Sequence, residues 1–264
     1  MASEELQEEA EPAVNEGFSD EEIQTLEDDR LEASSGPFFR KIDLIGFWVT
    51  FLTTLGAYIY TLAPTVTLED SGELAVAADY LGVPHPPGYP IWTLLSWLFQ
   101  WVFHWVTYFG QPNPAWSVGL QSAVSGALAC GLLALLVSHS GAQLLRSMSH
   151  ETKVLGHRTE NLICWIGGFV GGLLFAFSSV LWSQSVIVEV YSLNAAFFMA
   201  ILVLTYRWMC RPHEDHILYI AAFMFGLAFT NHQNIAFFFF GLIAAIGFRD
   251  LPLFRDSWAL IFLM

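Results

Sequence analysis

The sequence predicts an all-α fold, a polytopic membrane helix bundle of about seven spans. Three observations carry that expectation. Of 264 residues, 55% are apolar, 16% aromatic and only 13% charged, whereas a soluble domain carries about 25% charged residues. Several apolar runs reach the roughly 20 residues that cross a bilayer. The ten Lys and Arg residues gather in a few polar stretches, with base-free segments between them.

Residues 1–39 read as a disordered acidic cytoplasmic tail, since they hold 13 acids and one base, Arg30, with too little apolar surface to fold. Residues 40–264 form the membrane module, with 12 acids and nine bases. The net charge of −15 is thus mostly a property of the tail. No basic patch exists, which excludes nucleic acid as a partner. Cys130, Cys164 and Cys210 match neither a disulfide framework nor a zinc site and read as small core residues.

The positive-inside rule orders the rest. Arg40 and Lys41 precede a first span over 43–63. Arg146, Lys153 and Arg158 share one loop, Arg207 and Arg211 a second, Arg249 and Arg255 a third. All these groups, and the N-terminus, are assigned to the cytoplasm. Further spans are predicted over 116–140, 161–182, 192–208, 217–231 and 234–248, with another beginning near 257. The chain stops at Met264 inside that last apolar stretch, so the module reads as truncated at its C-terminus. Residues 64–116, 183–191 and 231–234 lack Lys and Arg and are assigned to the outer face.

Parity then requires 90–108 to lie along the outer interface without crossing. Thr93, Ser96, Gln100, His104 and Thr107 form one polar stripe at helical spacing. Trp92, Trp97, Trp101 and Trp105 suit the headgroup level. The competing reading is an ordinary span whose stripe packs on neighbours. Within 161–182, Gly167, Gly168, Gly171 and Gly172 give two overlapping Gly-x-x-x-Gly pairs, which allow close helix approach.

The outer face carries the chemistry. Glu69, Asp70 and Glu73 are close by helix spacing and repel unless a proton, cation or substrate relieves them. An acidic solvated loop is the bland alternative. His85-Pro86-Pro87-Gly88-Tyr89-Pro90 comes next as a rigid elbow, with His85 and Tyr89 as polar groups aimed at the acids. The second outer element supplies Gln184, Glu189, Tyr191 and Asn194. The third supplies Asn231 and His232; near three carboxylates the His232 pKa is expected to rise, making it a cation. If the topology holds, these loops converge into an acidic, aromatic-lined cleft beside lipid. Such a cleft suits a reaction between a membrane-dissolved donor and a water-side acceptor, with a carboxylate as general base on the acceptor hydroxyl.

Asp70-Ser-Gly-Glu73, His85-Pro-Pro-Gly-Tyr-Pro90, Trp182-Ser-Gln184, Glu189-Val-Tyr-Ser-Leu-Asn194 and Thr230-Asn-His232 resemble the transmembrane protein 260 family, also known as domain of unknown function 2723. The resemblance covers roughly residues 40–250. It implies a GT-C-like bundle with juxtamembrane helices in the first outer loop. It also implies a membrane glycosyltransferase that moves a sugar, by analogy mannose, from a polyprenyl-phosphate carrier to a hydroxyl acceptor, either protein Ser/Thr or glycan. Asp70, Glu73 and Glu189 take the catalytic roles. Glu69, His85, Tyr89, Gln184, Tyr191, Asn194, Asn231 and His232 take substrate-binding roles. No metal ligand set or cofactor is expected beyond the lipid-linked donor, with a divalent cation left open. The resemblance places the module in the endoplasmic reticulum of a eukaryote or the inner membrane of a bacterium. The competing classes are a cation-selective transporter, which needs carboxylates near mid-membrane, and a non-catalytic truncated scaffold.

Overall fold

The computed structural model describes residues 36–67, 69–148, 156–211 and 213–249. The expected disorder of the acidic tail falls mostly on residues outside this set, as does the span expected from 257. The described residues from Phe39 onward form one compact unit. Regular structure among the described residues is helical apart from one two-stranded ribbon, Thr107–Tyr108 paired antiparallel with Gln111–Pro112. The all-α membrane bundle is therefore the observed class.

Helix α1 runs Lys41–Tyr60, α2 Ser71–Asp79, α3 Pro90–Val102, α4 Pro114–Met148, α5 His157–Ala176, α6 Ser179–Ser185, α7 Tyr191–Cys210, α8 Asp215–Asn231 and α9 Ala236–Arg249. Helices α1, α4, α5 and α7 are long and apolar enough to cross a membrane. Helices α8 and α9 are shorter, at 17 and 14 residues. The span expected over 161–182 is divided: α5 stops at Ala176, and Ser178 starts α6 by accepting the Leu181 amide at 3.4 Å, a side-chain N-cap.

Helix α1 shows why this bundle belongs in lipid. Its buried residues are Asp43, Gly46, Thr50, Thr54 and Tyr58, spaced three or four apart. Leu44, Ile45, Trp48, Leu52 and Ile59 are exposed instead. Water would reject that arrangement; hydrocarbon favours it, because small and polar groups pack helix on helix while apolar groups meet lipid. Asp43 is ion-paired to Arg40 at 2.6 Å and accepts a bond from Ser138 Oγ at 2.6 Å. These contacts tie the start of α1 to α4. Tyr58 donates to the Ala176 carbonyl at 2.8 Å, tying the other end to α5. Only one of the two glycine pairs makes the close approach. A Cβ on Gly168 would lie 2.5 Å from the Ala134 carbonyl, and one on Gly172 would lie 2.6 Å from Thr50 Cγ2. Nothing lies within 4 Å of such an atom on Gly167 or Gly171.

Helix α3 has 13 residues, about 20 Å of helix against a hydrocarbon core of about 30 Å. It is too short to cross. Its polar stripe is buried at Thr93, Ser96 and Gln100, with Gln100 Nε2 donating to the Ala75 carbonyl at 3.2 Å. Leu94, Trp97, Leu98 and Trp101 point outward. The stripe thus packs on protein, as in the competing reading, while the length agrees with the first. Trp92, unlike Trp97 and Trp101, is fully buried against protein. His104 and Thr107 fall beyond the helix end.

Candidate active site

The segments joining α1 to α4, α6 to α7 and α8 to α9 meet at one end of the bundle. Ala63 donates its amide to the Val186 carbonyl at 2.8 Å, joining the first segment to the second. Asn231, at the end of α8, donates to the Val190 carbonyl at 3.4 Å, joining the third. A cavity of about 270 Å³ lies there, lined by Glu69, Asp70, Leu74, His85, Tyr89, Glu189, Val190 and Tyr191. Residues more than a hundred positions apart in the chain therefore share one wall.

Each side chain is placed by its local structure. Glu69 sits at φ 65°, a left-handed conformation uncommon for a residue with a Cβ. Asp70 occupies the N-cap position of α2 without spending its carboxylate on the helix amides. Both Asp70 and Glu73 gain from the positive end of that helix. The His85 amide donates to Glu73 Oε1 at 2.7 Å, and its ring stands 3.4 Å from Glu73 and 3.9 Å from Asp70. Tyr89 Oη lies 3.2 Å from His85 Nε2. His85 thus bridges the two carboxylates and the phenol, although Glu73 itself stands behind His85 rather than on the cavity wall.

Glu189 is 5% exposed. Burial, followed by the charges of Glu69 and Asp70, pushes its carboxyl up to about 7, against a bond from the Val190 amide that pulls the other way. The proximity of the Glu69 carboxyl adds to the rise. Burial and the nearby Tyr191, Glu189, Asp70 and Glu73 raise the Tyr89 phenol.

His232 corrects an expectation. Its ring stacks on Tyr89 at 5.9 Å and leans on Tyr191 at 5.3 Å. Burial lowers its pKa. Its Nδ1 accepts the Asn234 amide at 3.2 Å, a bond only the unprotonated nitrogen can accept. Burial between Tyr89 and Tyr191 thus moves it away from the cationic form expected for it, and it packs as an aromatic surface.

Gln184 and Asn194 stand apart from the acids. They line a second, apolar cavity of about 580 Å³ with Leu133, Phe175, Phe198 and Leu202. Gln184 Oε1 and Asn194 Oδ1 are buried there without a hydrogen-bond partner among the described residues. Tyr191 lines both cavities, so the apolar space opens beside the acidic one. Asn231 is fully buried and braces the backbone. Among the described residues no group of three or more His, Cys, Asp or Glu is arranged to hold a metal ion. Sequence reasoning missed Ser71, Trp92 and Ser122, which hold the backbone under Glu189.

An all-α membrane bundle that gathers carboxyls, a histidine and tyrosines at one end, beside an apolar groove, defines the class. The pattern of the protein O-mannosyl-transferase TMEM260 N-terminal domain matches residues 70–252, and the chain belongs to that family. It is 32% identical to the protein O-mannosyl-transferase TMEM260 of Mus musculus, over 83% of this chain and 28% of the mouse protein. It is 27% identical to the tmem260 protein O-mannosyl-transferase of Dictyostelium discoideum, over 70% of this chain and 21% of that protein. The chain thus spans about a quarter of the length of these relatives. No solved structure matches it.

Proposed function

We propose that this chain carries the reactive face of a protein O-mannosyltransferase, which transfers mannose from a polyprenyl-phosphate carrier to a protein Ser or Thr hydroxyl. The reaction runs on the membrane face opposite the Arg-bearing loops, the lumenal face in an endoplasmic reticulum membrane. The observation that carries this reading is the shared wall: Asp70, His85, Tyr89, Glu189 and Tyr191 line one cavity, and Tyr191 continues into an apolar one. Names of relatives that are protein O-mannosyl-transferases support it.

In this reading Asp70, the more open carboxylate, takes the proton from the acceptor hydroxyl. The acceptor oxygen attacks the anomeric carbon, and the bond from that carbon to the phosphate oxygen breaks. The polyprenyl phosphate leaves with the electron pair, and the sugar inverts. Charge grows on that phosphate in the transition state, so a hydrogen-bond donor there stabilises the transition state more than the ground state; His85 takes that role. Glu73 orients His85. Glu189, holding a proton for part of the time near neutral pH, donates a hydrogen bond to a sugar hydroxyl. The isoprenoid chain lies in the apolar cavity, where Gln184 and Asn194 meet its polar end. The transporter class is less favoured, because these carboxyls gather at one end of the bundle and not midway along broken spans.

The test uses membranes bearing the chain, a labelled polyprenyl-phosphate mannose, an acceptor protein, and divalent cation or chelator in parallel. Asp70→Asn is expected to lower transfer by about 10²- to 10⁴-fold, the usual worth of a general base. Equal transfer by wild type and Asp70→Asn removes the proposed base.

A further inference from the structure

Residues 186–190 link α6 to α7 without regular structure, yet Val188, Glu189 and Val190 are buried. Buried backbone groups outside a helix need other partners, most of all beside lipid. Here the partners come from nearly every neighbouring element. Ala63 N–H reaches the Val186 carbonyl at 2.8 Å. Ser71 Oγ on α2 donates to the Val188 carbonyl at 3.3 Å. Trp92 Nε1 on α3 and Ser122 Oγ on α4 both donate to the Glu189 carbonyl at 3.1 Å. Ser122 Oγ also accepts the Glu189 amide at 3.4 Å. Asn231 Nδ2 on α8 reaches the Val190 carbonyl. Ser71, Trp92, Ser122 and Asn231 are all buried.

We propose that Trp92 and Ser122, flanked by Ser71 and Asn231, are positioning residues that clamp the Glu189 backbone and so hold its carboxyl inside the acidic cavity. The inference rests on Glu189 belonging to the reactive site. Ser122 engages both backbone groups of Glu189 with a single hydroxyl, one donated and one accepted bond. Trp92 fills the second lone pair of the same carbonyl. With both in place the residue cannot rotate about its own backbone without breaking three bonds. Released, the segment can turn the carboxyl toward water, where it ionises as an ordinary carboxylate.

The clamp is tested by infrared titration of the purified chain in nanodiscs, with the Glu189 carboxyl band assigned by its loss in Glu189→Gln. Ser122→Ala removes the hydroxyl with little change in shape; Trp92→Phe removes the N–H but keeps an aromatic ring. Ser138→Ala is the control, since it also deletes a buried hydrogen bond, to Asp43 at the other end of the bundle. The wild-type midpoint is expected near neutrality. Ser122→Ala or Trp92→Phe should move it down by about one pH unit, a tenfold loss of proton affinity, while Ser138→Ala leaves it in place. If one clamp variant fails to fold by circular dichroism, the other decides. An unmoved midpoint in a folded clamp variant, an equal shift in Ser138→Ala, or a wild-type midpoint already in the ordinary carboxylate range overturns the proposal. The transfer assay fails or succeeds separately: a clamp shift without any mannosyl transfer sinks the proposed function alone, and transfer with an unmoved midpoint sinks the clamp alone.

Discussion

Glu189 binds its proton more tightly in the fold than in an unfolded chain, with the pKa rising from 4.5 to about 7. Linkage fixes the sign of the resulting pH dependence. The folded-state value is raised, so the stability this group adds is fully present below about 4.5 and lost as pH rises through about 7. Glu189→Gln, neutral at every pH, removes that slope. The difference in unfolding midpoint between variant and wild type, measured by thermal scans in detergent at pH 5 and pH 8, should move in favour of the variant at pH 8. A difference that does not change with pH contradicts the raised value. At this scale the sequence revealed the charged groups and not their supports. Glu69, Asp70, His85 and Glu189 stood out because acids on a base-free face need relief. Trp92 and Ser122 did not, because their role is a bond to a backbone carbonyl 97 and 67 residues away, which no local pattern encodes. The charge expected for His232 fails because its enclosure by Tyr89 and Tyr191 has no local signature in the sequence.

At the scale of elements, periodicity located the long helices, and the apolar surface of α1 marked it as lipid-facing. It could not tell which glycines of α5 meet a neighbour, because both pairs have the same spacing. Geometry separates them. Gly168→Ala and Gly172→Ala force a methyl into atoms 2.5 and 2.6 Å away, and such overpacking costs about 1–3 kcal/mol. Gly167→Ala and Gly171→Ala enter open space and remove the helix penalty of glycine, about 1 kcal/mol. Thermal unfolding in detergent should therefore rank the second pair at or above wild type and the first pair below it. All four variants behaving alike would mean that α5 does not pack on α1 and α4 as described. The break between α5 and α6 was illegible for a similar reason: apolar residues continue through Phe177, Val180 and Leu181, and only the Ser178 cap shows that a new helix has begun.

For the molecule as a whole, the site depends on how many times the chain crosses. Helices α1, α4 and α5 each have the length and apolarity of a span, and α3 does not have the length. If each of these three helices crosses, three crossings separate Arg40 from the Glu189 segment and one separates Arg40 from Asp70. Both counts are odd, which is why two acids so far apart in sequence meet in one cavity. If α3 crossed, Asp70 and Glu189 would be on opposite faces, and the bond from Trp92 to the Glu189 carbonyl could not form. The same count requires α7 and α8 together to return the chain to the Glu189 side, as the contact from Asn231 to Val190 requires. Single cysteines at exposed Val66, Ser183 and Gln233, and at exposed His157 and His213, test this in a chain whose Cys130, Cys164 and Cys210 are replaced. A membrane-impermeant maleimide applied to sealed vesicles should reach 66, 183 and 233 from one side and 157 and 213 from the other. Labelling of 66 and 183 from opposite compartments would separate Asp70 from Glu189, and the shared cavity, the clamp on Glu189 and the proposed transfer chemistry would fall together.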